Sequence, residues 1–469
     1  MRVIVILPVF LATVGLVACG SGFRDLYKVK EIPLGPNEDP GEALILTPFL
    51  EQGNIATARK LAEVPQELFL GIKSYSGYFT VDKKFNSNSF FWFIPATETD
   101  YRDSPVLLWL QGGPGAASIY GSFNENGPFE MIDEKNIRLR RNTSWTASHS
   151  VLYIDNPVGT GFSFTDGGWC KSQEEIGEHL YSALLQFFQL FEELQNNDFY
   201  VTGESYAGKY VPAVSYTIYK KNQAADLKIN LKGLAIGNGL SDPINQLNYG
   251  DYLYQNGLID SNGREIMKDL AKRVADLIKD KNYEEAFEVY DSMLNGDLTK
   301  YPTAFKNATG FDYYYNYLKA KGSIDDSYSV FIQQCDIRRA LHVGNKSAVS
   351  DDEVETSLRQ DFVQSVAPWV SELLSHYRVL IYNGQLDIIV AYPLTVDYLR
   401  NLNFSASEEY KTAKRYEWIV DNDIAGYVKE AGNLTEVMVR NAGHMVPADQ
   451  PVWALDLISK FVRNIPLHN

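Results

Sequence analysis

The chain has 469 residues and a formal net charge of −16, with 45% hydrophobic and 13% aromatic residues. This length and composition are typical of a globular enzyme with one large α/β domain or two to three smaller domains. The negative charge argues against nucleic acid as a partner, because phosphates are bound by clustered Lys and Arg.

The first 21 residues are typical of a secretory signal peptide, with Arg2 as the positive start and an apolar core from Val3 to Val17. An alternative interpretation is a bacterial lipobox, in which Cys19 would be lipidated. No later segment is long and apolar enough to span a bilayer. We therefore expect a protein of the secretory pathway, either secreted or lysosomal.

Residues 22–70 are rich in Pro, Gly and acidic side chains, and we interpret them as an N-terminal arm or a removable pro-segment. From residue 75 onward, apolar runs alternate with segments of helical spacing. This alternation predicts an α/β fold with a mostly parallel sheet covered by helices on both faces. Strands are predicted at 76–81, 89–94, 105–110, 151–155, 199–202, 231–237, 378–382 and 434–439, and helices at 175–194, 211–221 and 451–463.

The segment 242–328 interrupts this alternation. It contains two charged helical stretches, 262–281 and 283–294, followed by a tyrosine-rich loop at 311–315. We predict a helical cap over the carboxyl edge of the sheet, with the catalytic domain formed by residues 71–241 and 329–469.

Ser205 lies in the sequence Gly-Glu-Ser-Tyr-Ala-Gly, between a predicted strand and a predicted helix. Small residues at such a turn allow the sharp backbone path of a nucleophile elbow. A serine nucleophile also needs a base and an orienting acid. Asp387 and His444 both follow predicted strands, and they come after Ser205 in the chain order of hydrolase-fold enzymes.

Four motifs together resemble the serine carboxypeptidase family, closest to its vitellogenic carboxypeptidase-like branch. They are Trp-Leu-Gln-Gly-Gly-Pro-Gly at 109–115, the Ser205 hexapeptide, Asn-Gly-Gln-Leu-Asp at 383–387 and Gly-His-Met-Val-Pro at 443–447. The resemblance extends from about residue 70 to the C-terminus. It implies an α/β-hydrolase fold, no cofactor or metal, and the C-termini of peptides or proteins as substrates.

The resemblance also implies residue roles. Ser205 is expected to be the nucleophile, His444 the base and Asp387 the orienting acid, while the amides of Gly113 and Tyr206 form the oxyanion hole. The substrate carboxylate is expected to be bound by four residues, Gln111, Gly112, Glu125 and Glu204. Two adjacent glutamates raise each other's pKa, so that the protonated carboxyls can donate hydrogen bonds to a carboxylate.

The sequence departs from the family at two places. Gln111 replaces the usual Asn, and Ala116-Ala117-Ser118 replaces a Cys-containing triplet, so the family's usual disulfide at that position cannot form. Cys170 and Cys335 allow at most one intramolecular bridge in the mature chain. Five N-x-S/T sequons predict glycosylation, at Asn142, Asn307, Asn345, Asn403 and Asn433.

Two other functions fit the same scaffold. An acyltransferase would transfer the acyl group from the enzyme to an acceptor such as an alcohol, and an esterase would act on an ester substrate. A non-catalytic protein would retain only binding. The glutamate pair favours peptide C-termini over the first alternative, and the complete set of Ser, Asp and His argues against the second. The motifs leave the preferred terminal residue and the oligomeric state open.

Overall fold

A computed structural model of the chain describes residues 32–299, 301–320, 327–350 and 352–468. The predicted signal peptide, the alternative lipobox and residues 22–31 lie outside these described residues. Among the helices described, none is both long enough and apolar enough to cross a membrane.

One ten-stranded sheet organises the fold, and its six middle strands are parallel. In order across the sheet, the strands are β1 (Tyr75–Asp82), β2 (Ser87–Ile94), β6 (Ser150–Ile154), β3 (Val106–Leu110), β8 (Phe199–Glu204), β9 (Leu231–Gly237), β11 (Arg378–Gly384), β14 (Leu434–Val439), β13 (Asp423–Ala431) and β12 (Arg415–Val420). Strand β3 is buried at every position, as expected for a parallel strand covered on both faces. The predicted α/β fold with a mostly parallel sheet is therefore confirmed.

Short strands and helices complete the secondary structure. Two small antiparallel sheets pair β4 (Phe129–Met131) with β5 (Ile137–Leu139) and β7 (Thr160–Gly161) with β10 (Val349–Ser350). The helices are α1 (Thr47–Glu51), α2 (Ile55–Leu61), α3 (Tyr120–Asn124), α4 (Gln173–Leu190), α5 (Ala207–Lys221), α6 (Tyr249–Gln255), α7 (Ser261–Lys279), α8 (Tyr283–Met293), α9 (Ala304–Thr309), α10 (Ser327–Phe331), α11 (Cys335–Ala340), α12 (Asp352–Phe362), α13 (Ala367–Leu373), α14 (Tyr392–Asn401), α15 (Ser407–Thr412), α16 (Val446–Asp449) and α17 (Pro451–Val462), with short 3₁₀ turns between some of them.

Strands β12 and β13 of the large sheet, and the start of helix α5, are among the differences from the sequence-based expectation. Strands β12 and β13 were not predicted, because antiparallel strands with one exposed face alternate polar and apolar residues instead of forming apolar runs. Helix α5 begins at Ala207, four residues before the predicted start, because the turn at Ser205 leads directly into it.

The N-terminal segment packs against the edge of the sheet beside β1. The Leu46 amide donates to the carbonyl of Tyr78 (2.9 Å), and the Tyr78 amide donates to the carbonyl of Leu44 (2.9 Å). The side chains of Leu46, Leu50 and Phe69 are buried in the core. The described part of the predicted arm is thus joined to the sheet by backbone hydrogen bonds and apolar packing.

A helical region that includes the predicted segment 242–328 lies between β9 and β11. It contains α6 to α13 and continues to Leu373, and its two long helices, α7 and α8, match the predicted charged stretches. Cys170 and Cys335 are free, so the bridge between them does not form. All five sequon asparagines are exposed.

Candidate active site

Ser205 lies in a sharp turn between β8 and α5. Its φ of +64° is in the left-handed region, which non-glycine residues rarely adopt. Its neighbours leave little space, because a Cβ on Gly203 would lie 2.6 Å from the carbonyl oxygen of Leu110. A Cβ on Gly208 would lie 2.6 Å from the amide nitrogen of Leu240. Small residues on both sides of Ser205 are therefore necessary for this elbow geometry.

A buried ion pair supports the start of α5. The Nζ of Lys209 lies 2.9 Å from Oδ2 of Asp361, and the Lys209 side chain is completely buried. The same carboxylate oxygen accepts hydrogen bonds from Gln173 Nε2 (2.7 Å) and the Tyr206 hydroxyl (3.3 Å). Asp361 thus holds the residue that directly follows Ser205.

His444 and Asp387 form a fully buried pair. The Nδ1 atom of His444 lies 2.8 Å from Oδ2 of Asp387. The Nε2 atom of His444 has no hydrogen-bond partner among the described residues. This arrangement leaves Nε2 able to accept a proton, while the carboxylate fixes the other side of the ring.

Four hydrogen bonds converge on the Asp387 carboxylate. Besides His444, its Oδ2 accepts from Asn238 Nδ2 (2.8 Å) and from the Val390 amide (3.2 Å), and its Oδ1 accepts from the Ile389 amide (3.0 Å). Sequence reasoning missed Asn238, which lies directly after β9. Its position at a strand end next to the elbow strand was the signal that could have found it.

A short part of the insertion, cap segment 313–317, contacts the loops that carry Asp387 and His444. The carbonyl of Tyr315 accepts from the His444 amide (2.7 Å), and the carbonyl of Tyr314 accepts from the Ile388 amide (3.0 Å). The Tyr315 ring lies 5.1 Å from the imidazole of His444, centre to centre. The insertion therefore contributes directly to the surroundings of the histidine.

The same segment also contacts the turn before His444. Oδ2 of Asp449 accepts from the Gly443 amide (2.7 Å) and from Nδ2 of Asn316 (3.2 Å). A Cβ on Gly443 would lie 2.2 Å from the carbonyl oxygen of Tyr315, so glycine is necessary at this close approach. Sequence reasoning did not identify Asn316 or Asp449, because these contacts depend on how the insertion folds back.

The glycine-rich loop after β3 lies against the elbow. A Cβ on Gly112 would lie 2.6 Å from both the Ser205 Cβ and the Tyr206 amide nitrogen. Gly113 has a φ of +113°, a conformation that favours glycine. The loop backbone and the Tyr206 amide thus lie close to Ser205, where amide donors can stabilise a developing oxyanion.

Glu125 and Glu204 are both completely buried. Gln111 connects to Glu204 through a hydrogen bond from its Nε2 to Oε1 (2.8 Å), and its Oε1 accepts from the indole of Trp109 (3.1 Å). Both carboxyl oxygens of Glu125, and Oε2 of Glu204, have no hydrogen-bond partner in the described part of the chain. The pair therefore has unused hydrogen-bonding capacity in a site closed to bulk water.

Burial raises the pKa of Glu125 to about 7; the neighbouring side chains of Glu204 and Gln111 oppose this rise, and the charges of His444 and Arg140 oppose it to a smaller extent. Burial raises the pKa of Glu204 well above its usual range, and the nearby charges of Glu125 and Asp387 add to the rise. At acidic pH the pair consequently carries protons and can donate hydrogen bonds to an anionic group.

An acidic cluster lies elsewhere in the insertion. Carboxylate oxygens of Asp291, Asp297 and Glu355 lie within 4.8 Å of one another. Asp291 accepts hydrogen bonds from the Thr299 hydroxyl (2.6 Å) and the Gly296 amide (3.2 Å). These bonds shape the loop after α8, and we assign no metal to the cluster.

Residues 64–464 match the sequence profile of the serine carboxypeptidases. This chain belongs to the serine carboxypeptidase family. The family resemblance inferred from the four motifs is therefore confirmed, and so is the assignment to the serine-type hydrolases.

The carboxypeptidase is similar to curated relatives over nearly its whole length. A venom serine carboxypeptidase from Apis mellifera is 54% identical over 454 residues, which cover 96% of this chain and 97% of the relative. A vitellogenic carboxypeptidase from Aedes aegypti is 47% identical, covering 94% and 93%. A probable serine carboxypeptidase, CPVL, from Homo sapiens is 46% identical, covering 95% and 94%.

Among solved structures, a prohormone-processing carboxypeptidase from Saccharomyces cerevisiae has the same fold. Its TM-score is 0.69 at 24% sequence identity, and the match covers 87% of the carboxypeptidase described here and 96% of the yeast chain. The predicted α/β-hydrolase architecture is thereby confirmed.

Proposed function

We propose that this carboxypeptidase removes C-terminal residues from peptides through an acyl-enzyme on Ser205. His444 takes the hydroxyl proton at Nε2 and later delivers it to the leaving amine, while Asp387 holds the imidazole through Nδ1. The amides of Gly113 and Tyr206 stabilise the oxyanion. This proposal rests on the buried pairing of His444 with Asp387 at 2.8 Å and on Nε2 of His444, which has no hydrogen-bond partner within the described residues.

An exopeptidase must also recognise the free terminal carboxylate. We assign this task to Gln111, the Gly112 amide, Glu125 and Glu204. In acid, protonated Glu125 and Glu204 donate hydrogen bonds to the carboxylate. As the pH rises through their raised pKa values, with Glu125 at about 7, the pair ionises and repels it.

We therefore expect activity on peptide acids to be highest in acid and to fall as the pH approaches and passes 7. Loss of a charge-assisted hydrogen bond, together with repulsion, weakens binding by about one to two decades. The loss should appear mainly in KM.

The experiment compares a blocked peptide acid with its C-terminal amide from pH 4.5 to 8. The acid should lose binding above pH 7 and the amide should not. Glu204→Gln should flatten the pH profile of the acid substrate. The control Glu436→Gln changes another buried glutamate, which accepts from the hydroxyls of Tyr392 and Tyr410, and should retain the wild-type profile. Parallel loss for acid and amide would contradict the proposal.

We also propose that the protein enters the secretory pathway and is secreted or lysosomal. The exposure of all five sequon asparagines supports this location, since glycosylation requires accessible sites. N-terminal sequencing of the mature protein, together with the mass change after enzymatic deglycosylation, tests it. An unprocessed, unglycosylated chain from a eukaryotic host would contradict it.

A further inference from the structure

Three residues lie side by side across the carboxyl end of the parallel sheet. Glu204 of β8 pairs with Gly237 of β9, and Gly237 pairs with Tyr382 of β11. Paired residues of neighbouring parallel strands point to the same face of a sheet. The side chains of Glu204 and Tyr382 therefore share a face, with only a glycine between them.

The Tyr382 ring occupies the space that a side chain at Gly237 would take. A Cβ on Gly237 would lie 2.5 Å from Cζ and 2.6 Å from the hydroxyl oxygen of Tyr382. The phenol ring thus lies across β9 toward β8, the strand that ends in Glu204. Any larger residue at position 237 would push the ring away.

The Tyr382 hydroxyl is an unsatisfied donor. Tyr382 is 3% exposed, and its hydroxyl has no hydrogen-bond partner in the described ranges. Buried tyrosine hydroxyls usually find a partner, because an unpaired polar group is costly in a dry interior. Burial raises the pKa of Tyr382, and the charges of Glu204 and Glu125 add to this effect, so the phenol keeps its proton.

Gln111 and Tyr382 approach Glu204 from opposite sides. Gln111 follows β3, on one side of β8, and donates to Oε1 of Glu204 (2.8 Å). Tyr382 lies on the other side, beyond β9, whereas the assigned carboxylate-binding groups lie toward Gln111 and the Gly112 amide. The Tyr382 ring and the Gln111 amide thus lie on opposite sides of the strand that ends in Glu204.

We propose that the Tyr382 hydroxyl donates a hydrogen bond to Glu204 when the carboxyl pair becomes ionised. Tyr382 is then a positioning residue that sets the pH above which peptide acids lose affinity. This inference rests on the proposed role of Glu204 in binding the substrate carboxylate. A hydrogen bond to the ionised form lowers a carboxyl pKa, so its removal should move the loss of binding to higher pH.

Other charged groups act on the same pair. The charges of Glu125 and Asp387 face Glu204, and those of His444 and Arg140 face Glu125. All four remain in Tyr382→Phe, which removes only the hydroxyl. Because that hydroxyl is buried and has no partner in the part of the chain that the structure describes, we expect this variant to fold as the wild type does.

The experiment measures KM for a peptide acid and its amide from pH 4.5 to 8.5 in the wild type and in Tyr382→Phe. We expect the pH at which KM of the acid rises to increase by about 1 unit in the variant, the size of effect that one charge-assisted hydrogen bond produces. Tyr398→Phe is the matched control, since the buried hydroxyl of Tyr398 also has no partner among the residues described but belongs to α14. An unchanged midpoint in Tyr382→Phe would overturn the inference.

A binding measurement separates the two proposals. Calorimetry would follow a blocked amino acid with a free carboxylate binding to Ser205→Ala and to Ser205→Ala/Tyr382→Phe. At pH 8 the double variant should bind up to about tenfold more tightly, since more of its carboxyl pair is protonated. Weaker binding at every pH would mean that the tyrosine contacts the ligand itself and would overturn the inference. If the proposed role of Glu204 is wrong, the wild type will already show the same pH profile for acid and amide.

Discussion

Two buried acidic regions lie near each other at the carboxyl edge of the sheet, and they are built in opposite ways. The Asp387 carboxylate accepts four hydrogen bonds, including one from Asn238 and one from His444. Glu125 has no hydrogen-bond partner among the described residues, and Glu204 has one at a single oxygen. Burial is complete in both regions, so the number of donors is what differs.

The difference shows how one active site can contain a carboxylate surrounded by hydrogen-bond donors and a carboxyl pair that has few of them. Several converging donors replace the water around a carboxylate and favour its negative charge. A buried carboxyl without such donors keeps its proton, as burial raises the pKa of Glu125 to about 7. The first kind can orient an imidazole, and the second kind can donate to a substrate carboxylate.

Ser205→Ala should have the largest effect on kcat. It should also show that the catalytic residues and the glutamate pair have separate roles. Loss of a triad nucleophile lowers kcat by about a million-fold. Binding of a blocked amino acid should persist with its pH dependence, because the glutamate pair is untouched. Steady-state kinetics and calorimetry on the same preparation check both parts. Substantial turnover by the folded variant would refute the nucleophile assignment.

Asp387→Asn should lower kcat by about 10⁴-fold at every pH, because an amide no longer holds the imidazole in the required tautomer. The comparison variant Glu204→Gln makes the same carboxyl-to-amide change in the other region and should alter mainly KM and its pH dependence. Measuring kcat and KM for both variants from pH 4.5 to 8 sharpens the contrast. Equal kinetic effects would mean that the two regions do not have distinct roles.

Asn238→Ala should have a smaller effect, because it removes one of the four donors to Asp387. We expect kcat to fall about tenfold and the free energy of unfolding to decrease by about 1–3 kcal/mol. Asn422→Ala is the matched control, since Asn422 also has a positive φ (69°, against 44° for Asn238) but is exposed in the turn between β12 and β13. If both variants behave alike, the loss reflects backbone strain rather than the hydrogen bond to Asp387.

Much of the fold could be predicted because local residue patterns encode it. The apolar runs of the central strands, and the small residues around Ser205, each reflect a local requirement of burial or backbone geometry. The pairing of Asn316 with Asp449 could not be found in this way, since it joins residues 133 positions apart. The hydroxyl of Tyr382 likewise becomes notable only once the strand register places it beside Gly237.

Cap segment 313–317 also links the two catalytic loops to a part of the chain that belongs to neither of them. The backbone of His444 is held by a carbonyl of the insertion, and so is that of Ile388, next to Asp387. The positions of the histidine and its acid therefore depend on docking of the insertion, so a substitution that loosens the insertion would disturb the active site without changing any of its catalytic residues.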